Sequence, residues 1–211
     1  MFKEGCRIEV FADELRRRSE ENQRDAQSDS TTLSERSIID IDNSTAENLA
    51  KEKNLWIDIT EVVNLGTPAP SGVENDVYLN KNGNLVYKVN NLMTSRCVSD
   101  FLQRILLHNS IFPQTGYELY GFTGFGNGSV YPILKQNYIF YAKYATPVEI
   151  DTYMSALGFE KVNEATFTNG EVIISDLYPR NVLKDKDGDL FVVDAEFKKS
   201  NSSPSNWSPL R

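Results

Sequence analysis

The run Ile173-Ile174-Ser175-Asp176-Leu177-Tyr178-Pro179-Arg180-Asn181-Val182-Leu183 constrains this chain more than any other stretch. An apolar, strand-like segment stands on either side of a polar loop, and the loop carries Asp176 and Asn181 five positions apart. An Asp187-Gly188 turn follows, and then Phe191-Val192-Val193-Asp194-Ala195-Glu196. A loop that leaves one strand and enters another can present an Asp and an Asn toward one point. A second hairpin strand then delivers Asp194 to the same place. Hard oxygen ligands of this kind suit a divalent cation, and a carboxylate beside them suits removal of a proton from a hydroxyl. An Asp followed by an Asn means little alone. The weight comes from the two-part pattern with apolar strands in the right places.

Composition limits what can surround that pattern. A chain of 211 residues with a 40% hydrophobic and 11% aromatic share can bury a core, as one domain with appendages or as two very small lobes. Mean hydropathy is -0.43, and no apolar run approaches the ~20 residues a membrane helix needs. The N-terminus lacks a signal-peptide pattern, so a cytoplasmic protein is expected. The formal net charge of -8 argues against broad nucleic-acid binding, which needs a basic surface. Cys6 and Cys97 are far apart and give no disulfide framework or ligand spacing. His108 is the sole histidine, which excludes a multi-histidine metal site.

The N-terminal residues 1–54 read as a charged, helical or disordered arm. Phe11 to Arg24 favours a helix with a thin apolar stripe (Phe11, Leu15), Gln27 to Ser37 reads as a polar linker, and Ser44 to Asn54 as a short helix. A solvated arm is the expectation. From Leu55 the pattern changes, with Leu55–Ile59 a strand or the lead-in to one. Val77–Leu79 and Leu85–Val89 flank an Asn82-Gly83 hairpin turn. Met93 to Asn109 reads as a helix, and Tyr117–Phe125, Ser129–Leu134 and Tyr138–Tyr144 as strands. A short helix opens at Thr146-Pro147 and ends near Gly158. After Phe197 the chain is expected to be disordered, so residues 55–198 form the domain and 199–211 a tail.

The metal-and-carboxylate pattern is what an ATP–Mg²⁺ site needs, and it resembles the catalytic loop and metal-binding strand of the protein-kinase-like superfamily. In style it is similar to the aminoglycoside-phosphotransferase branch. The resemblance implies Asp176 as catalytic base, Asn181 and Asp194 as metal ligands, and Glu196 as an auxiliary ligand. Upstream, Gly66 to Gly72, the Val73-Glu74-Asn75-Asp76-Val77-Tyr78 strand and Lys88 resemble a glycine-rich loop, its second strand and a third-strand lysine. A hairpin lid offers N–H groups to phosphates, and the lysine offers a point charge.

Further short motifs narrow the likeness. Gly72-Val73-Glu74 with Val77-Tyr78, Leu106-Leu107-His108-Asn109 with Phe112-Pro113, and Tyr117-Glu118-Leu119 with Gly121-Phe122 resemble the small kinase-like domain of polyvalent proteins in phages and conjugative elements. This likeness runs from Trp56 to about Lys198 and implies an α+β, minimal kinase-like fold. Its parts would be an antiparallel-sheet N-lobe with one helix, a hinge starting at Lys135-Gln136-Asn137-Tyr138, and a truncated C-lobe. Gln136 would then join Gly66, Gly72, Glu74 and Lys88 in nucleotide binding.

The sequence departs from the kinase pattern in three places, one being Ile174-Ser175 before Asp176, where the arginine that reads activation-loop phosphorylation is absent and such regulation is not expected. Asp100 is the acid on the helix after the lysine strand, but it lies opposite the apolar face and is expected to pair with Arg96 or Arg104. Glu74 is then the expected partner of Lys88. Only seventeen residues follow Asp194, too few for the helices that bind protein substrates, so recognition would need a partner or neighbouring domain. His108 reads as a capping or core residue, and the run Tyr138–Tyr144 as packing. Three functions stay open: an ATP–Mg²⁺ phosphotransferase of unknown acceptor, a pseudokinase-type nucleotide-binding or interaction module, and AMP transfer from the same site.

Overall fold

The computed structural model describes residues 8–28, 32–126 and 128–200, so Cys6, Trp207 and nearly all of the expected tail lie outside it. The chain separates into two compact units. One comprises the described residues up to Ser110 with Gly116–Tyr138; the other comprises Ile111–Thr115 and the residues from Ile139.

The first unit opens with two helices, α1 (Ile8–Ser28) and α2 (Glu35–Glu52), which take in both ends of the linker expected over Gln27 to Ser37. Ser34 starts α2, its hydroxyl accepting from Ser37 N at 3.1 Å. On α1 the buried positions are Ile8, Phe11, Ala12, Leu15 and Ser19, the three-and-four spacing of a helix face turned to a core. Phe11 stacks on Phe122 with ring centroids 4.7 Å apart. Ala46, Leu49 and Ala50 of α2 join the same core. The solvated arm is thus corrected. A narrow stripe suffices for burial here, while charges on the other side pair along the helices, with Arg18 bridging Glu14 and Glu52 at 2.6 Å each.

Leu55–Ile57 is a lead-in, with Phe122 N donating to Leu55 O and Ile57 N donating to Phe122 O, each at 2.8 Å. A 3₁₀ turn over Ile59–Leu65 follows, capped by Asp58. The strands are β1 (Thr67–Ala69), β2 (Asn75–Leu79) and β3 (Leu85–Asn90). After the helix α3 (Val98–Ile111) come β4 (Glu118–Gly124) and β5 (Val130–Asn137). They form one antiparallel sheet in the order β1-β2-β3-β5-β4. Gly83, at φ +68, makes the β2–β3 turn. Asn80 Oδ1 closes it by accepting from Asn84 N and Leu85 N.

The third helix starts at Val98, five residues later than its periodicity predicts. Asn90 and Asn91 are the reason: their side-chain oxygens accept from Leu92 N and Met93 N and hold an irregular path. The start is capped from α2, with Asn43 Oδ1 accepting from Val98 N at 3.2 Å and Asp42 Oδ2 from Ser99 N at 3.0 Å. Pleat alternation then sorts the sheet's two faces. Leu119, Phe122, Val130 and Leu134 pack with the helices, and Val89 and Ile133 pack with Val62 on the other side.

The second unit begins with β6 (Lys143–Tyr144), the remnant of the strand expected over Tyr138–Tyr144, and α4 (Pro147–Ala156). Thr146 and Glu149 form a capping box, with Pro147 in the first turn. Glu149 also pairs with Lys184, whose ammonium, with help from Thr146, holds its carboxyl down to about 2. The strands that follow are β7 (Glu160–Asn163), β8 (Thr166–Thr168), β9 (Val172–Ser175), β10 (Val182–Lys184), β11 (Leu190–Val192) and β12 (Glu196–Lys199). They make a three-stranded sheet, β11-β10-β6, and a four-stranded sheet, β12-β9-β8-β7. The β7–β8 hairpin is not legible in sequence, because every residue of β7 is exposed. Disorder after Phe197 is corrected too: Lys198 and Lys199 pair with Ile173 and Val172. The whole is α+β.

Leu15 separates a solvated helix from a packed one. Leu15→Ala is expected to cost about 2–5 kcal/mol of unfolding free energy in a denaturant titration, as for a buried leucine. A solvated arm would keep the change within about 0.5 kcal/mol.

Candidate functional site

In the second unit the chain changes sheets twice at one place. From β9 in the four-stranded sheet it crosses through residues 176–181 to β10 in the three-stranded sheet, and from β11 it returns through 193–195 to β12. Ser175 pairs with Glu196 on one side of these crossings and Val182 with Val192 on the other, so they run side by side. Val193 N donates to Asn181 O at 3.0 Å and joins them. Asp194 is the next residue. It therefore lies in the crossing, just past the hairpin strand expected to deliver it, because β11 ends at Val192 as the chain leaves its sheet.

Asp176 stands at φ +62, a left-handed conformation uncommon outside glycine but accessible to Asp. Its neighbours hold it there. Asn181 Nδ2 donates to Asp176 O and to Asp176 Oδ2, both at 2.8 Å. Arg180 Nη2 donates to Asp176 Oδ1 at 2.6 Å, and its guanidinium lies 4.6 Å from the centre of the Tyr178 ring. Leu177, fully buried, anchors the loop with its N donating to Ala165 O at 3.1 Å. Asp176 keeps 38% of its side chain exposed, so the carboxylate is fixed in direction yet reachable.

Asn181 spends its amide nitrogen on Asp176, which leaves its amide oxygen as the atom able to meet a cation. Glu196 is set against Ser175 on the neighbouring strand, with a long 3.4 Å contact from the Ser175 hydroxyl to Oε2. Among the described residues no group of three or more His, Cys, Asp or Glu side chains is gathered as a metal centre.

The residues singled out in the first unit are less uniform. Gly66 immediately precedes β1, and Gly72 lies beyond its far end. A Cβ at Gly66 would meet Leu79 O at 2.0 Å, so close backbone approach explains that glycine. Gly72 lies in the open β1–β2 connection, where Ser71 Oγ accepts from Val77 N and donates to Ala69 O. Gln136 is buried on β5 opposite Val86, two residues before the first unit ends at Tyr138.

Lys88, central on β3, donates to Tyr117 Oη at 2.9 Å. The expected pair with Glu74 is not formed; the Glu74 carbonyl accepts from Asn91 N as β2 begins. Asp100 pairs with Arg96 at 2.6 Å, as its helix position predicts. His108 is a buried residue tilted against Tyr117. Sequence reasoning gave no role to Arg180 or Tyr117. A four-residue step from Asp to Arg is a readable signal for the first. The second depends on a contact between residues 29 apart.

A family model described as serine/threonine/tyrosine kinase found in polyvalent proteins matches residues 42–201, and the chain belongs to that family. The match starts earlier than the Trp56 boundary read from motifs. It takes in the second half of α2, where Asp42 caps α3. No curated protein and no solved structure matches the chain.

The two side chains holding Asp176 differ in burial, and so should their worth. Asn181→Ala, at a buried position, is expected to lower unfolding free energy by about 1–3 kcal/mol. Arg180→Ala, breaking an exposed pair, should change it by no more than about 1 kcal/mol. Parallel denaturant titrations of the two variants check the contrast.

Proposed function

We propose that this member of a kinase family is an ATP- and Mg²⁺-dependent phosphotransferase in which Asp176 takes the proton of an acceptor hydroxyl. The observation that carries the reading is the double hold on Asp176 beside Asn181, with Asp194 one residue past the bond joining the two crossings. As the acceptor oxygen bonds to the γ-phosphorus and the bond to the β-phosphate oxygen breaks, the hydroxyl proton passes to an Asp176 oxygen. Asn181 Oδ1 and the Asp194 carboxylate are the oxygens that would hold the cation, with nucleotide phosphates and water completing its shell. Mg²⁺, when bound, supplies neutralisation of phosphate charge. Glu196 is assigned a lesser, auxiliary part.

Within the first unit, nucleotide binding falls to Lys88, able to offer a phosphate a point charge, and to the stretch from Gly66 to Gly72, able to offer backbone N–H groups. Glu74 and Gln136 complete the nucleotide-binding set. The acceptor is a hydroxyl on a protein substrate or partner domain.

One observation favours a second reading, a nucleotide-binding module without turnover: both oxygens of Asp176 are already engaged. The small worth of one of those contacts favours the first. The Arg180 contact is an exposed pair worth at most about 1 kcal/mol, so an arriving hydroxyl can displace it.

Asp176→Asn is expected to lower γ-phosphoryl transfer by about 10²–10⁴-fold with nucleotide affinity kept. Asp194→Ala should abolish the Mg²⁺ dependence of nucleotide binding. Parallel assays with γ- and α-labelled ATP measure both and separate phosphoryl from AMP transfer. Equal transfer by parent and both variants would sink the proposal, and binding without any transfer would establish the second reading.

A further inference from the structure

We infer that Tyr117 is the positioning residue for Lys88, supplied by the segment between α3 and β4 in place of an acidic residue on α3. The inference rests on the nucleotide role of Lys88 proposed above. A lysine ammonium on its flexible four-carbon stem can orient a phosphate only if something fixes its direction. In the register of the sheet Lys88 lies opposite Leu134, a residue packed with the helices, so its side chain is on the helix-facing side of β3. There its Nζ is 2.9 Å from Tyr117 Oη and 5.0 Å from the ring centre. The shorter of the two contacts is to the hydroxyl, to which the ammonium donates.

Tyr117 is itself held on every side the argument needs. It is 6% exposed. Its backbone is clamped by one side chain, with Asn109 Nδ2 donating to Tyr117 O at 2.8 Å and Tyr117 N donating to Asn109 Oδ1 at 2.7 Å. Its ring lies tilted against buried His108, with centroids 4.8 Å apart. Both of these residues belong to the last turns of α3, so the helix fixes the lysine through the tyrosine and not through an acid of its own. The single acid on α3, Asp100, is committed to Arg96. A phenol oxygen accepts from an ammonium and so fixes its direction without adding a charge of its own.

Tyr117→Phe removes only the hydroxyl and retains the ring that packs on His108. In the full chain, the Kd for ATP with Mg²⁺, measured by calorimetry, is expected to rise about 5- to 10-fold, the loss of one hydrogen bond. Lys88→Met should raise it at least as much. Adding Tyr117→Phe to Lys88→Met should then change it less than about twofold, a coupling a merely structural tyrosine would not show. An equal loss in both backgrounds, or no loss from Tyr117→Phe while Lys88→Met weakens binding, overturns the inference and leaves the nucleotide reading standing. Unchanged affinity in Lys88→Met overturns both.

Discussion

The backbone hydrogen bond from Val193 N to Asn181 O joins the two segments along which the second unit changes sheets, and the candidate site depends on it. Each crossing by itself is a short polar loop with no ladder to hold it. Side by side, they extend the β10–β11 pairing by one residue and bring Asp194 next to the loop of Asp176. The left-handed backbone at Asp176 becomes affordable in this setting, because the Asn181 amide satisfies both the Asp176 carbonyl and its carboxylate. A loop that had to satisfy its own polar groups in solvent would have no reason to settle in that conformation.

The first unit solves a different problem, that of covering a five-stranded sheet. Three helices bury one face, and the α2 residues Asp42 and Asn43 satisfy the first N–H groups of α3. That coupling gives physical sense to a family match beginning at residue 42. The second half of α2 is part of the packed unit, since it carries both the cap of α3 and core residues such as Leu49. The other end of α3 carries His108 and Asn109, which hold Tyr117 and through it Lys88. One helix is thus tied down at its start by α2 and holds, through its final turns, the tyrosine that meets Lys88.

Charge plays a subordinate part in the fold. The pairs on α1 and α2, and the one at Arg180, are partly or largely exposed and contribute little each. The apolar stripe of α1 outweighs them, because burying one leucine or phenylalanine is worth about 1.5–3 kcal/mol. A charged helix with few apolar residues can therefore belong to a core. Counting charges misjudged residues 8–28; the spacing of Ile8, Phe11, Ala12 and Leu15 carried the information.

Much of the fold was legible because it rests on short-range physics. The Asn82-Gly83 hairpin, the capping box at Thr146, the Arg96–Asp100 pair and the β-rich runs around Asp176 and Asn181 each follow from residues a few positions apart. The sequence by itself also singled out the candidate residues, an Asp, an Asn and a second Asp spaced between strands in one block. Only the tertiary structure decided that Asp194 lies in a sheet crossing, that Gly66 answers to Leu79, and that Tyr117 meets Lys88. Those contacts join residues 12 to 29 positions apart. Local propensity and periodicity reach about one helical turn or one strand, and register between distant strands is settled only when their buried faces pack together.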